Sequence, residues 1–474
     1  MRKILMVVLL LAGCGWAQNT VPDTAPGKLL KQWMDSFNTG DLARHAKFVE
    51  DHESAEALRG VPPAEIAERE LRFRDTVGGF DFFKAEESTP TELKAVLKQR
   101  NGLGYAAVLF KVDAAKPDLI AGTDFRPVAT PDEAKPARED DAALAKDVDQ
   151  LLTRLAGEDR FSGVVLLAKN GKPFLQKAYN YADRKKKVEN NINTKFRLGS
   201  MNKMFTSVAI AQLVQQGKLK YTDTVAQLLP DSSDNTVTSK ITVHQLLTHT
   251  SGMGDIFTDQ FDAQQNKLHT LKDYIPLFAG KPLQFEPGKG WAYSNAGMIV
   301  AGLIVEKVSG QDYFDYVQEH IYKPAGMADS GTWDKTVPQP NQAQGYMRED
   351  QQWIPNDETL PLRGSSAGGG DSTAPDLLRF DQALRGNKLL NAELTKTVTT
   401  AKVDIPNQKD KYAYGFFESM VDGKRIVGHG GGAPGMNANL DMYWDSGYTV
   451  VVLSNFDPPI AQQVNAYIRE RIKQ

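Results

Sequence analysis

Lys195 to Leu219 read KFRLGSMNKMFTSVAIAQLVQQGKL. Met204, Phe205, Val208, Ala209, Ala211, Leu213 and Val214 leave this stretch almost no polar face. A helix that is apolar all round is a buried helix, and Gly217 supplies its stop. Ser200 stands at the mouth of this helix and Lys203 three residues on. That spacing puts both side chains on one face, one turn apart. The hydroxyl then lies at the positive end of the helix dipole. Desolvation disfavours the ammonium form of a buried lysine, so its amine can act as a base toward the serine. Ser-x-x-Lys alone is a weak signal, because 19 serines and 36 lysines in 474 residues give about one such pair by chance. Read alone, Ser200 is equally a helix cap.

Two more segments add weight. Glu286-Pro287-Gly288 leads to Trp291-Ala292-Tyr293-Ser294-Asn295-Ala296-Gly297, and an apolar helix is expected from Met298 to Val308. Tyr293 and Asn295 therefore stand on a loop just ahead of a buried helix. A phenol relays protons when neighbouring cations lower its pKa. An amide can bond both a substrate carbonyl and a catalytic ammonium. The third segment is Gly428-His429-Gly430-Gly431-Gly432-Ala433, placed after a strand from Gly423 to Val427, with Leu440 to Tyr443 and Tyr448 to Ser454 as later strands. Successive glycines allow a strand edge to approach a ligand closely. A free N–H at Gly432 can join that of Ser200 in an oxyanion hole.

In this order the three segments resemble the penicillin-recognising serine hydrolases: class C β-lactamases, DD-peptidases and esterases of the same fold. Their pattern is Ser-x-x-Lys, Tyr-x-Asn, then Lys/His-x-Gly. The resemblance runs from about residue 145 to 474 and takes in Leu246 to Gly252 and Gly368 to Ala374. It implies an α+β fold, an antiparallel sheet flanked by helices beside an all-helical subdomain. It implies Ser200 as nucleophile, with Lys203 and Tyr293 sharing base and acid duty. Asn295, His429, Gly431 and Gly432 would bind substrate, and the backbone N–H groups of Ser200 and Gly432 would form the oxyanion hole. The implied reaction passes through a serine acyl-enzyme on an ester, amide or peptide, with no metal or organic cofactor. One departure matters: many β-lactamases carry lysine where this chain has His429. A largely neutral imidazole attracts a carboxylate less than a permanent cation does. The resemblance therefore leaves esterase, D-amino-acid peptidase or amidase, and β-lactamase-related chemistry open. A weak or inactive binder of cell-wall fragments is the alternative reading, and the intact Ser200, Lys203 and Tyr293 stand against it. His249 is read as structural.

Gly364-Ser365-Ser366-Ala367-Gly368 matches the Gly-x-Ser-x-Gly elbow literally. The elbow needs an apolar strand before it and a helix straight after; Asp357 to Arg363 holds no such strand. The seven histidines are scattered, with no carboxylate in metal-ligand spacing.

The ends of the chain differ in character. MRKILMVVLLLAGCGWAQ joins two cations, Arg2 and Lys3, to an apolar run from Ile4 to Ala12. This is a secretory leader, taken as residues 1–20, too short to serve as a mature membrane helix. Leu11-Ala12-Gly13-Cys14 resembles a lipoprotein box, with Cys14 as the lipidation site; Gly15-x-Ala17 offers ordinary cleavage instead. Export follows from either, to the periplasm, a lipid-tethered state or the medium. No later segment is apolar enough to span a bilayer. Residues 28–128 read as helices followed by a strand meander, a small α+β domain. Their element order resembles the cone-shaped fold of the nuclear-transport-factor and ketosteroid-isomerase superfamily. No ionisable pair there reads as a site. Pro-rich, charged residues 129–144 read as a linker to the hydrolase domain at 145–474.

Composition closes off other classes. At 41% hydrophobic the chain has ample core material. A net charge of −3 leaves no basic stripe for nucleic acid. A lone cysteine excludes a disulfide framework and a thiolate zinc site. The expected partner is a small-molecule or peptide substrate, with the cell wall as one source.

Overall fold

Thr24 accepts a hydrogen bond from the Gly27 amide and Pro26 sits in the first turn, so helix α1 begins at Ala25 and runs to Phe37. Its Leu29, Leu30, Trp33, Met34 and Phe37 are buried, as their helical spacing requires. Asp41 caps α2, Leu42–His52, and Pro62 precedes α3, Pro63–Val77. The period then changes to strands β1 Phe80–Ser88, β2 Glu92–Gln99, β3 Tyr105–Val112 and β4 Ile120–Val128. They form one antiparallel meander in the order β1-β2-β3-β4. These elements belong to a computed structural model that describes residues 20–230, 239–349 and 352–473. The leader and Cys14 lie outside the described residues. The chain divides into two compact units, one ending at Pro136 and the other starting at Ala137.

The first unit closes on an aromatic core that includes Trp33, Phe37, Phe80 and Phe110. Helix packing also brings together groups that the sequence keeps apart. His45, wholly buried, bonds Glu70 Oε2 through Nε2 at 2.7 Å and Ser36 Oγ through Nδ1 at 2.9 Å. The Trp33 indole donates to the same Glu70 oxygen at 3.0 Å. Burial, reinforced by the charge of Glu70, raises the Glu53 carboxyl from its usual range to about 7. Above pH 4.5 the unfolded chain carries this group ionised, while the folded chain keeps its proton up to about pH 7. Stability contributed by the protonated carboxyl is therefore lost as pH rises through that window. Glu53→Gln is expected to raise the unfolding midpoint at pH 8 and leave it unchanged at pH 4, read by thermal melts of the full chain; equal shifts at both pH values would reject this account.

The second unit opens with α4, Asp141–Gly157, capped by Asp140. Its main sheet uses β5 Gly163–Lys169 and β6 Lys172–Tyr179. The short β7 Val403–Asp404, β8 Lys411–Tyr412 and β9 Phe417–Val421 follow late in the chain. They lead into β10 Lys424–Ala433, β11 Met436–Tyr443 and β12 Tyr448–Ser454. The order is β7-β8-β9-β10-β11-β12-β5-β6, antiparallel throughout. The first hairpin of the unit thus pairs with its last strand. Every residue of β11 and β12 is buried. Such strands are covered on both faces; β12 runs apolar from Val450 to Leu453, whereas β11 alternates and buries Asn437, Asn439 and Asp441.

The helices that matter here are α5 Asn202–Gln215, α6 Asn295–Ser309, α7 Ala374–Arg385 and α8 Ile460–Arg469. Helix α8 packs on β11 and β12, and α7 on β12 and β5, while α5 and α6 pack on each other. Among the described residues no helix is long and apolar enough to cross a membrane.

Two boundaries at the site differ from the sequence reading. The glycine-rich third segment lies inside β10 rather than after a strand. The glycines, read as giving room for a ligand, here let neighbouring backbone pass. A Cβ on Gly428 would stand 1.9 Å from the Leu440 carbonyl oxygen, and one on Gly431 1.8 Å from that of Leu198. Asn295 likewise belongs to α6 as its first residue, with Ser294 as the cap accepting from the Gly297 amide.

Candidate active site

The chain reaches Ser200 through a single 3-10 turn, Gly199–Met201, which runs directly into α5. Gly199 has φ of +53°, a conformation glycine adopts without the penalty other residues meet. Ser200 is half-buried, whereas Lys203 one turn later is fully buried. The Lys203 Nζ lies 3.1 Å from Ser200 Oγ, 2.7 Å from Asn295 Oδ1 and 2.6 Å from the Ala367 carbonyl oxygen. Burial lowers this amine to about 7, opposed by the carboxylate of Asp255. A neutral amine has two N–H bonds and one lone pair. Asn295 and Ala367 take the two N–H groups at the shorter distances, so the lone pair is left for the serine hydroxyl.

Tyr293 comes from the loop ahead of α6. Its hydroxyl interacts electrostatically with Ser200, and Lys203 Nζ lies 4.7 Å from its ring centre. The expectation that cations lower this phenol's pKa does not hold. Burial pushes it above the ordinary tyrosine range, against a lowering by the Ser200 side chain, and the Asp255 charge adds to the rise. At neutral pH Tyr293 is therefore a proton donor.

Asn295 is oriented from both ends. Its Oδ1 accepts from Lys203, and its Nδ2 donates to Asp255 Oδ1 at 2.9 Å. His249 holds the same loop from below. Its Nδ1 accepts from the Ser294 amide at 3.1 Å, and its ring centre lies 4.3 Å from that of Tyr293. Buried and pushed well below its usual pKa, His249 stays neutral, in keeping with a structural role.

Strand β10 forms the opposite wall. A Cβ on Gly199 would lie 2.9 Å from the Gly432 nitrogen, and one on Gly431 3.0 Å from the Ser200 nitrogen. The turn that carries Ser200 is thus seated on Gly431 and Gly432, which brings the two backbone N–H groups together. His429 shares the face of Gly431, since strand side chains alternate. It is 3% exposed, and its ring centre lies 6.4 Å from that of Tyr293. Nδ1–H donates to the Gly430 carbonyl at 2.5 Å, and Nε2 accepts from the Tyr412 hydroxyl at 3.1 Å. Burial and the Lys203 charge lower its pKa to about 3, so the wall is uncharged at neutral pH.

Three contributors escaped the sequence reading: Asp255, Tyr412 and the Ala367 carbonyl. Asp255 lies three residues after the singled-out segment Leu246 to Gly252, which was the available signal. Tyr412 sits on a two-residue strand with no local pattern. Ala367 belongs to the rival elbow segment, whose Ser366 is wholly buried and donates to the Met298 carbonyl at 2.9 Å. A nucleophile with no access to substrate is excluded there.

A cavity of about 1260 Å³ borders the site at Met253, Gly254 and Asp255, and continues over Ile275, Phe278, Leu283, Val300 and Leu303.

Comparison with known proteins agrees with this geometry. The family described as Beta-lactamase matches residues 148–473. Penicillin-binding protein 4* of Bacillus subtilis is 30% identical over 330 residues, covering 65% of this chain and 71% of the relative. The crystal structure of a penicillin binding protein from Bacillus halodurans aligns with a TM-score of 0.62 at 34% identity, over 67% of this chain and 98% of that one. A D-stereospecific amidohydrolase from Streptomyces sp. aligns with a TM-score of 0.58 at 25% identity, over 69% of this chain and 98% of that one. With a match of this length resting on a serine and a lysine in contact, the chain belongs to the β-lactamase family and is an enzyme of the serine hydrolase type.

Proposed function

We propose that this enzyme is exported and cleaves small esters, amides or peptides through an acyl group carried on Ser200. The observation that supports it most is the buried Lys203 amine, 3.1 Å from Ser200 Oγ with its two N–H bonds already engaged. Ser200 Oγ attacks the substrate carbonyl carbon while its proton passes to the Lys203 lone pair. The electron pair of the carbonyl moves to oxygen, which the N–H groups of Ser200 and Gly432 stabilise. Collapse breaks the bond to the leaving oxygen or nitrogen, and Lys203 and Tyr293 between them return one proton to it. Water then repeats the sequence and frees Ser200. The leader at residues 1–20 supports export, and the likeness to the D-stereospecific amidohydrolase supports amides as substrates.

The uncharged His429 wall supports esters and amides over β-lactams, since no fixed cation awaits a carboxylate. Incubation with a fluorophosphonate, followed by peptide mass spectrometry, is expected to show an adduct on Ser200. A panel of p-nitrophenyl esters, amino-acid amides and nitrocefin is expected to rank nitrocefin last. No adduct on Ser200 together with no turnover of any member would favour a binding protein instead.

A further inference from the structure

Asp255 moves no proton and touches no substrate atom in the proposed acyl transfer. It is exposed, unlike Lys203, Asn295 and His429. Its Oδ1 accepts from the Asn295 amide and from the Ile256 N–H at 2.7 Å. Among the described residues no cation pairs with it. The carboxylate also lines the 1260 Å³ cavity, so there is room for a ligand beside it. The other titratable groups that face this corner are uncharged when the site is ready to react: His249 and His429 are buried neutral, Tyr293 keeps its proton, and Lys203 must be an amine. Beside the reacting atoms the competent cleft therefore carries the Asp255 carboxylate, two hydrogen bonds away from Lys203, while Lys272, Lys281, Lys307, Glu306 and Asp312 line the cavity with it.

We propose that Asp255 selects substrates whose acyl portion carries a protonated amine, with the apolar remainder of that portion in the adjoining cavity, and disfavours those carrying a carboxylate. This rests on the serine hydrolase reading above and names its substrate class. Asn295 links the two roles. Its side chain touches Lys203 on one side and Asp255 on the other, so a group held at Asp255 lies beside the atoms that react. The same bond fixes the amide with its oxygen toward the lysine, which makes Asp255 a positioning residue as well. A unit charge acting over several ångströms of partly hydrated cleft is worth about tenfold in rate.

Three p-nitrophenyl alkylphosphonates of matched length test this, ending in an ammonium, a methyl and a carboxylate. Single-turnover release of p-nitrophenolate reports reaction at Ser200. The ammonium probe is expected to react about tenfold faster than the carboxylate probe in the native enzyme. The gap should close to within about twofold in Asp255→Asn, persist in Asp255→Glu, and narrow in the native enzyme at 1 M NaCl. A structural role alone would slow all three probes alike and leave their ratio unchanged. Equal rates in the native enzyme, or a gap that survives Asp255→Asn, would overturn the proposal. Failure of all three probes, the methyl one included, to modify Ser200 would overturn the hydrolase reading itself.

Discussion

Replacing Ser200 by alanine is expected to lower kcat/KM for a simple ester by about 10⁴-fold or more, the range found when a serine nucleophile is removed. The loss should fall on kcat, because the N–H groups of residues 200 and 432 and the walls of the cleft survive the change. The fluorophosphonate adduct should vanish with it. The matched control is Ser366→Ala. Ser366 sits in the literal Gly-x-Ser-x-Gly segment, but its hydroxyl is spent on the Met298 carbonyl inside the core. Its removal should cost about 1 kcal/mol of stability, the worth of one ordinary hydrogen bond. Turnover should stay within about twofold. Steady-state kinetics and thermal melts of the two variants read both numbers. Activity retained in Ser200→Ala and lost in Ser366→Ala would reverse the assignment.

The second large effect belongs to Lys203. Lys203→Met keeps the length and apolar stem but removes the base, and general-base loss typically costs 10²–10⁴-fold. The native pH profile carries the sharper test. The reactive form is the neutral amine, so kcat/KM should rise with pH through about 7 and then level off. Tyr293 lies above the ordinary tyrosine range, so its ionisation should bring no fall on the alkaline side below about pH 10. Asp255 raises the lysine pKa, so Asp255→Asn should move the rising limb to lower pH. A limb that stays in place would mean the titrating group is not Lys203. Stability follows the same proton. Between about pH 7 and 10.5 the unfolded chain holds a proton on this lysine that the folded chain lacks. The native state therefore gains stability as pH rises through that window, and bears the full cost of the buried lysine below it.

Much of this was legible in the chain. An unbroken apolar face from Met204 to Val214 can only be a buried helix, and its period fixes Ser200 and Lys203 one turn apart. The helices-then-meander order of the first unit could be read along the chain, because the change from helical to strand period is a local property. The glycines at 428, 430, 431 and 432 were visible too, but not their setting. The need for glycine there shows only once the partner backbones of Leu440 and Leu198 are in place.

Other features depended wholly on folding. The pKa directions of Lys203, Tyr293 and His429 follow from how much water is left around them, and the phenol moved opposite to the expectation. Asp255 and Tyr412 enter the site from 52 and 209 residues beyond Lys203, through contacts that no spacing encodes. The sequence alone determined which groups are capable of the chemistry, because backbone period and side-chain type are carried by neighbours along the chain. Tertiary structure alone decided their protonation, their orientation and the charge of the cleft, because desolvation and Coulomb forces depend on distance in space.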